Sequence, residues 1–151
     1  MSVRAVSFNT NDYCLAAAST DRVIRYWDLD QNFLINSSAC DSVPADRLCF
    51  SRDGKQVMAA NCDNVKCYDM EQNRLLDIVM KPHRKIFDMK VSDTELFIVD
   101  EQNGAIAASS IPLNILNKDP DCEVAQFGGG GNREASPWEG RMNMMPGRTG
   151  G

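Results

Sequence analysis

A stretch near the N-terminus is written twice in this chain, 42 positions apart, and a repeat of that length restricts the fold more than any other feature. The hexapeptide "VRAVSF" (3–8) is answered by "ADRLCF" (45–50), so that Phe8 and Phe50 lie 42 positions apart. Asp21 and Asp63 keep the same spacing, as do Val23 and Val65. A weaker third copy follows: "KIFDMKV" (85–91) echoes the opening hexapeptide, and "EQNGAIAASS" (101–110) echoes the Asp-bearing turn, with Asn103 40 positions after Asp63. A unit this short cannot bury its apolar surface alone, so successive copies must stack on one another.

Inside each unit the apolar residues alternate instead of recurring at helical spacing. The first reads "VRAVSF", a turn "NTNDY", "CLAAAS", a turn "TDR", then "VIRYW". Period two over short runs broken by turn residues is the pattern of half-buried antiparallel strands. The second unit turns at "SRDG", where Asp53 and Gly54 suit a tight hairpin, and the third at "SDTE". Helix is favoured only over a marginal run near "LNILN". The expected fold is all-β: about three consecutive four-stranded antiparallel units over 1–116, with repeats of about 3–43, 44–83 and 84–116.

Glycine marks the end of that region, because eight of the ten glycines fall at or after Gly128. From Asn117 the chain has no apolar period and a four-glycine run, so 117–151 reads as a flexible, disordered Gly-rich tail carrying Trp138, Met142, Met144 and Met145. With 151 residues the expectation is one domain with one core. A net charge of −5 and no basic stripe argue against a nucleic-acid partner, and the same charge disfavours an anionic membrane surface. No run approaches the ~20 apolar residues of a membrane helix, and "MSVRAVSFNTND" turns polar too soon for a secretory leader, which implies an intracellular, cytoplasmic chain. Cys14, Cys40, Cys49, Cys62, Cys67 and Cys122 show no C-x-x-C pair, so they read as reduced thiols, mostly buried in strands, and no metal or other cofactor is expected.

A unit of ~40 to 45 residues, with four short strands and a closing Trp-Asp, is the signature of a WD-type propeller blade. "STDRVIRYWDLD" (19–30) resembles the end of such a repeat. The resemblance implies that Asp21 caps the turn before the third strand and that Trp27 closes that strand, with Asp28 beside it. In a full repeat these join a His and a Ser or Thr in a buried tetrad. Here no His precedes Val3, and the hydroxyl position four before Asp21 is Ala17. The second repeat keeps Asp63 but has Ala59, and Tyr68-Asp69 in place of Trp-Asp. Without those partners, Asp21 is expected to rely on backbone N–H groups of its own turn or on water.

The resemblance extends to one family. "NDYCLAAASTDRVIRYWDLDQNFLI", "LCFSRDGKQVMAANCDNVKCY" and "LLDIVMKPHRKIFDMKV" are together similar to the last blades of the WD-repeat regulatory subunit of katanin, the microtubule-severing AAA ATPase. The likeness covers about residues 3–116, with Asp77-Ile78-Val79 followed by Lys85-Ile86 and Asp88-Met89 as its most specific part. It departs at His83-Arg84, where the family carries Trp-Gly. What it implies is a non-catalytic scaffold whose partners are the katanin ATPase subunit and microtubules, at the cytoskeleton, centrosome or spindle pole. The alternatives are a generic WD-repeat adaptor of another pathway and a non-functional truncated gene fragment, since most of a propeller and the family's helical C-terminal domain are missing from this text.

Catalysis by the chain finds little support. There is no Gly-x-x-x-x-Gly-Lys-Ser/Thr loop, and the single histidine, His83, sits among Lys81, Arg84 and Lys85, cations that discourage its protonation. His83 is expected in a connecting loop, solvated or packed in place of the family's Trp. The basic run "KPHRK" (81–85) is the candidate for docking on an acidic protein surface, through Lys81, Arg84 and Lys85 and with Arg4, Arg22 and Arg47 as possible extensions of the patch. An open stack of blades also exposes an edge at each end, so self-association is expected.

Overall fold

The structure is a computed structural model and describes residues 1–116. The tail expected at 117–151, with Cys122, Trp138 and the three methionines after it, lies outside the described residues. Eleven strands form three antiparallel meanders. The first sheet is β1 (Val3–Phe8), β2 (Cys14–Ser19), β3 (Ile24–Asp28) and β4 (Phe33–Ser37). The second is β5 (Arg47–Phe50), β6 (Gln56–Ala60), β7 (Asn64–Asp69) and β8 (Arg74–Met80). The third holds β9 (Ile86–Val91), β10 (Glu95–Gln102) and β11 (Ala105–Pro112). It has three strands where the repeat leads one to expect four. A short helix α1 (Leu113–Leu116) follows β11 at the "LNILN" run and packs against β8 of the second sheet. Leu116 is buried there.

The sheets follow one another like blades in a row. β1 lies against β5 and β5 against β9, so the first strands of successive sheets are neighbours. The expected single core is two clusters, one on each face of the middle sheet. Ala5, Ala16, Ala18, Ile24 and Tyr26 of the first sheet meet Leu48, Phe50, Val57, Ala59 and Tyr68 of the second. On its other face Cys49, Met58, Ala60, Val65 and Cys67 meet Ile86, Met89, Leu96, Ile98 and Ile111. Alternation explains this arrangement: successive side chains point to opposite faces, so a middle sheet buried on both sides reads as nearly continuous apolar strands. β6 (QVMAA) and β7 (NVKCYD) have that character.

The register corrects one landmark of the repeat. Ala18 pairs with Ile24 across the β2–β3 turn, whereas Ala60 pairs with Val65 across the equivalent β6–β7 turn. The second turn is one residue shorter, so the counterpart of Val65 is Ile24, and Trp27 corresponds to Tyr68 at a spacing of 41. The next turns confirm the new spacing: "DLDQN" (28–32) and "DMEQN" (69–73) end in Asn32 and Asn73, both with positive φ (56° and 51°). Asn tolerates this left-handed conformation.

The turns between first and second strands tie the three sheets together along one rim. Asn9 Nδ2 donates to the Gly54 carbonyl at 3.0 Å, Asn11 donates to the Arg52 carbonyl, and Arg52 pairs with Asp93. Gly54 is required at its place, since its φ is +74° and a Cβ would lie 2.4 Å from Asn9 Oδ1.

Candidate functional site

The opposite rim carries the turns between second and third strands together with the linkers between sheets. Backbone hydrogen bonds hold them side by side: Asp41 N–H donates to the Arg22 carbonyl, His83 N–H to that of Cys62, and Glu101 N–H to that of Lys85. Every residue expected to bind a partner reaches this rim, but the structure divides them into engaged and open groups.

Asp21 is not left to its own turn. The Ser19 hydroxyl donates to its Oδ1, Val23 N–H lies 3.3 Å from the same oxygen, and Arg25 Nη2 is 2.6 Å from Oδ2. Arg25 Nη1 also donates to Ser19 Oγ at 3.0 Å. Asp21 is thus held by a hydroxyl two residues before it and a guanidinium four residues after it. Arg25, then Ser19, hold the Asp21 carboxyl well below the usual carboxylate range. In the second sheet Asn61 occupies the place of Ser19, and its buried Oδ1 accepts the N–H groups of Asp63 and Asn64 at 2.8 and 2.9 Å. Asp63, expected to be the turn's capping acid, is exposed there.

His83 lies in the linker between β8 and β9 and is packed, not solvated. Its Nδ1 lies 2.6 Å from Asp100 Oδ2, with side-chain exposures of 0% and 1%. Gln102 Nε2 donates to the other carboxylate oxygen at 3.1 Å. A carboxylate buried this deeply needs such donors, because an unpaired one would be expelled to water or neutralised. The contact joins the linker before β9 to the end of β10, a His–Asp pair that the first two sheets lack. His83 Nε2 is buried with no partner among the described residues.

Lys81, expected in the docking patch, is half-buried and donates to Ser109 Oγ on β11. Burial pushes its ammonium pKa down, against the attraction of Asp100. Arg47 is also committed: Nε donates to the Phe87 carbonyl at 2.9 Å and Nη1 to that of Asp46 at 2.7 Å, fastening β5 to β9. Arg4 pairs with Asp46. Arg84, Lys85 and Arg22 are exposed, with Lys85 Nζ 5.3 Å from the centre of the Phe87 ring and Arg22 at φ 68°. The basic surface is therefore narrower than the sequence suggests, centred on Arg84 and Lys85.

The Trp-Asp pair divides between two jobs. Asp28 Oδ1 accepts the N–H groups of Asp30 and Gln31, both at 2.8 Å, and so caps the β3–β4 turn; Asp69 does the same for Gln72 N–H at 2.8 Å. Trp27 stands with Val6, Phe8, Leu15 and Ala17 on the face of the first sheet turned away from the second. Phe8 is 64% exposed and Trp27 36%, whereas their counterparts Phe50 and Tyr68 are each 8% exposed beneath the first sheet. The difference lies in what covers the positions, since the residue types match.

Among the described residues no three His, Cys, Asp or Glu side chains converge as a metal site, and no helix is long and apolar enough to cross a membrane. One cleft between the first two sheets, lined by Arg22, Asp41, Lys66 and Tyr68, has room for about 10 Å³, roughly one water. Lys66 Nζ lies 2.5 Å from both Asp41 oxygens inside it. No family model matches the chain, and no curated protein matches it.

The rim residues that sequence reasoning missed had faint signals. Ser19 and Asn61 are 42 positions apart, the period already in hand. Asp100 follows Leu96 and Ile98 in strict alternation, which places a carboxylate on a buried face and calls for a partner. The distance from Asp100 back to His83 had no local signature.

Proposed function

We propose that this chain is a protein-binding scaffold of the WD-repeat propeller kind and that, as its resemblance to the katanin regulatory subunit implies, it helps to place a microtubule-severing AAA ATPase on microtubules. The observation that supports this reading is the loop 81–85. His83 and Lys81 anchor it from within, through Asp100 and Ser109, and present Arg84 and Lys85 outward. A loop pinned by a buried pair holds its charges in place at little entropic cost on binding. Tubulin surfaces are acidic, so two fixed cations would favour encounter and orientation more than raw affinity.

The test is co-sedimentation of the full chain with microtubules at rising salt, beside an Arg84→Glu/Lys85→Glu variant. Pelleting of the parent should fall with salt, and the variant should pellet several-fold less at low salt. Equal pelleting of the two ends this reading of the loop. Pull-down with the severing ATPase separates the katanin reading from an adaptor in another pathway.

A further inference from the structure

Six described residues have positive φ, and five of them are suited to it: Asn32, Asn73, Asn103, Gly54 and Gly104. The sixth is Arg22, at φ 68°. The left-handed region crowds the Cβ of an L-residue against the following carbonyl; glycine escapes this and asparagine tolerates it, whereas arginine does neither. Asn103 and Gly104 fill the β10–β11 turn, which answers the β2–β3 turn in the third sheet. Arg22 therefore holds its turn under strain, and nothing inside the chain calls for its side chain. Its N–H donates to the Ser19 carbonyl at 3.0 Å and its carbonyl accepts Asp41 N–H at 2.9 Å, backbone bonds that asparagine would make equally well. Its guanidinium is exposed and makes no hydrogen bond or ion pair among the described residues. By contrast Arg4 and Arg52 are ion-paired, Arg25 holds Asp21, and Arg47 holds two carbonyls.

We infer that Arg22 is kept in this strained turn as a binding residue, which grips a carboxylate on an acidic segment of a partner protein beside Arg84 and Lys85. The inference rests on the reading of this rim as a docking surface and adds a contact at the other junction between sheets. The two junctions are built alike: Asp41 N–H donates to the Arg22 carbonyl at the first, and His83 N–H to the Cys62 carbonyl at the second. Arg22 thus stands at the first junction as the loop 81–85 stands at the second, with all three cations exposed on one rim. Asp41 lines the same cleft as Arg22 but is held by Lys66, so the guanidinium fork stays open. That fork matches a carboxylate with two parallel hydrogen bonds. At a net charge of −5 the chain as a whole does not attract an acidic partner, so the attraction must come from fixed cations at short range. Backbone strain persists at positions where function needs the side chain, at some loss of stability.

Binding and stability of the full chain, read together, test it, with a fluorescein-labelled oligoglutamate peptide as the probe in fluorescence anisotropy. Arg22→Asn should weaken binding about tenfold, the value of one charge-assisted contact. The same variant should melt about 2–4 °C higher, because the strain is relieved. Arg22→Lys keeps the strain and so the midpoint, and should bind between the two, because an ammonium has no fork. An Arg22→Asn chain that binds like the parent, one that melts lower, or a parent with no affinity for the peptide would each overturn the inference. Microtubule pelleting run alongside separates it from the reading above. Peptide binding that depends on Arg22, without pelleting, supports the role of Arg22 and ends the microtubule reading; pelleting that Arg84→Glu/Lys85→Glu abolishes and Arg22→Asn leaves intact ends the role of Arg22 alone.

Discussion

At the scale of single residues, the polar groups of the rim find their partners locally. Ser19 and Arg25 hold Asp21, and Asn61 takes over the turn at Asp63. These partners were legible only in part: the missing His and Ser could be seen in the text, but the groups that hold Asp21 sit at other spacings, and side-chain reach across a turn leaves no periodic trace. His83–Asp100 is the group with most at stake. Removing the imidazole strands the Asp100 carboxylate in the core, so His83→Ala should lose about 3–5 kcal/mol, read as a shift of the urea midpoint. A loss of a few tenths would mean that the pair is solvated. Tyr26 points the other way. Its hydroxyl is buried without a partner among the described residues, and burial pushes its pKa up. Tyr26→Phe removes an unsatisfied group of about 1–3 kcal/mol desolvation cost and should leave stability unchanged or raised; a clear drop would reveal a partner for that hydroxyl.

At the scale of elements, strands were the most legible part of the text. β1 and β2 coincide with "VRAVSF" and "CLAAAS", because alternation and turn residues act over the same few positions. The shorter β6–β7 turn was not legible: Val23 and Val65 match by eye, and only cross-strand pairing shows that Ile24 is the true counterpart. The three-stranded third sheet was also missed, since "LNILN" continues the apolar text but coils against β8. Two glycines give a direct comparison of turn chemistry. Gly54 and Gly104 have φ of 74° and 77°, but a Cβ at Gly54 would strike Asn9, while one at Gly104 meets nothing within 4 Å. Gly104→Ala should cost about 1 kcal/mol of backbone strain, and Gly54→Ala distinctly more, because it also expels Asn9 from the junction between sheets. Equal thermal midpoints for the two variants would contradict the Asn9 contact.

At the scale of the whole molecule, the middle sheet is the structural centre, and its buried acids set the response to pH. Burial pushes the thiols of Cys49 and Cys67 up to about 12. Tyr26 and Tyr68 are pushed up by burial too. The folded chain therefore keeps protons that the unfolded chain begins to release near pH 9, so stability holds below that pH and falls as pH climbs toward 12. Thermal melts should show a midpoint dropping steadily above about pH 9, with a shallower slope in a Cys49→Ala/Cys67→Ala chain; a flat profile would place those thiols in water. The stacking of repeats was legible from the 42-residue period, but not that it buries two separate clusters, one on each face of the middle sheet, because period two states which residues share a face and not what that face meets. The central claim is that the middle sheet, buried on both faces, holds the row of sheets together. Amide hydrogen exchange tests it most directly. β6 and β7 should exchange slowest, and β4, where Phe33, Leu34 and Ile35 are exposed, fastest. Protection of β4 equal to that of β6 and β7 would contradict it.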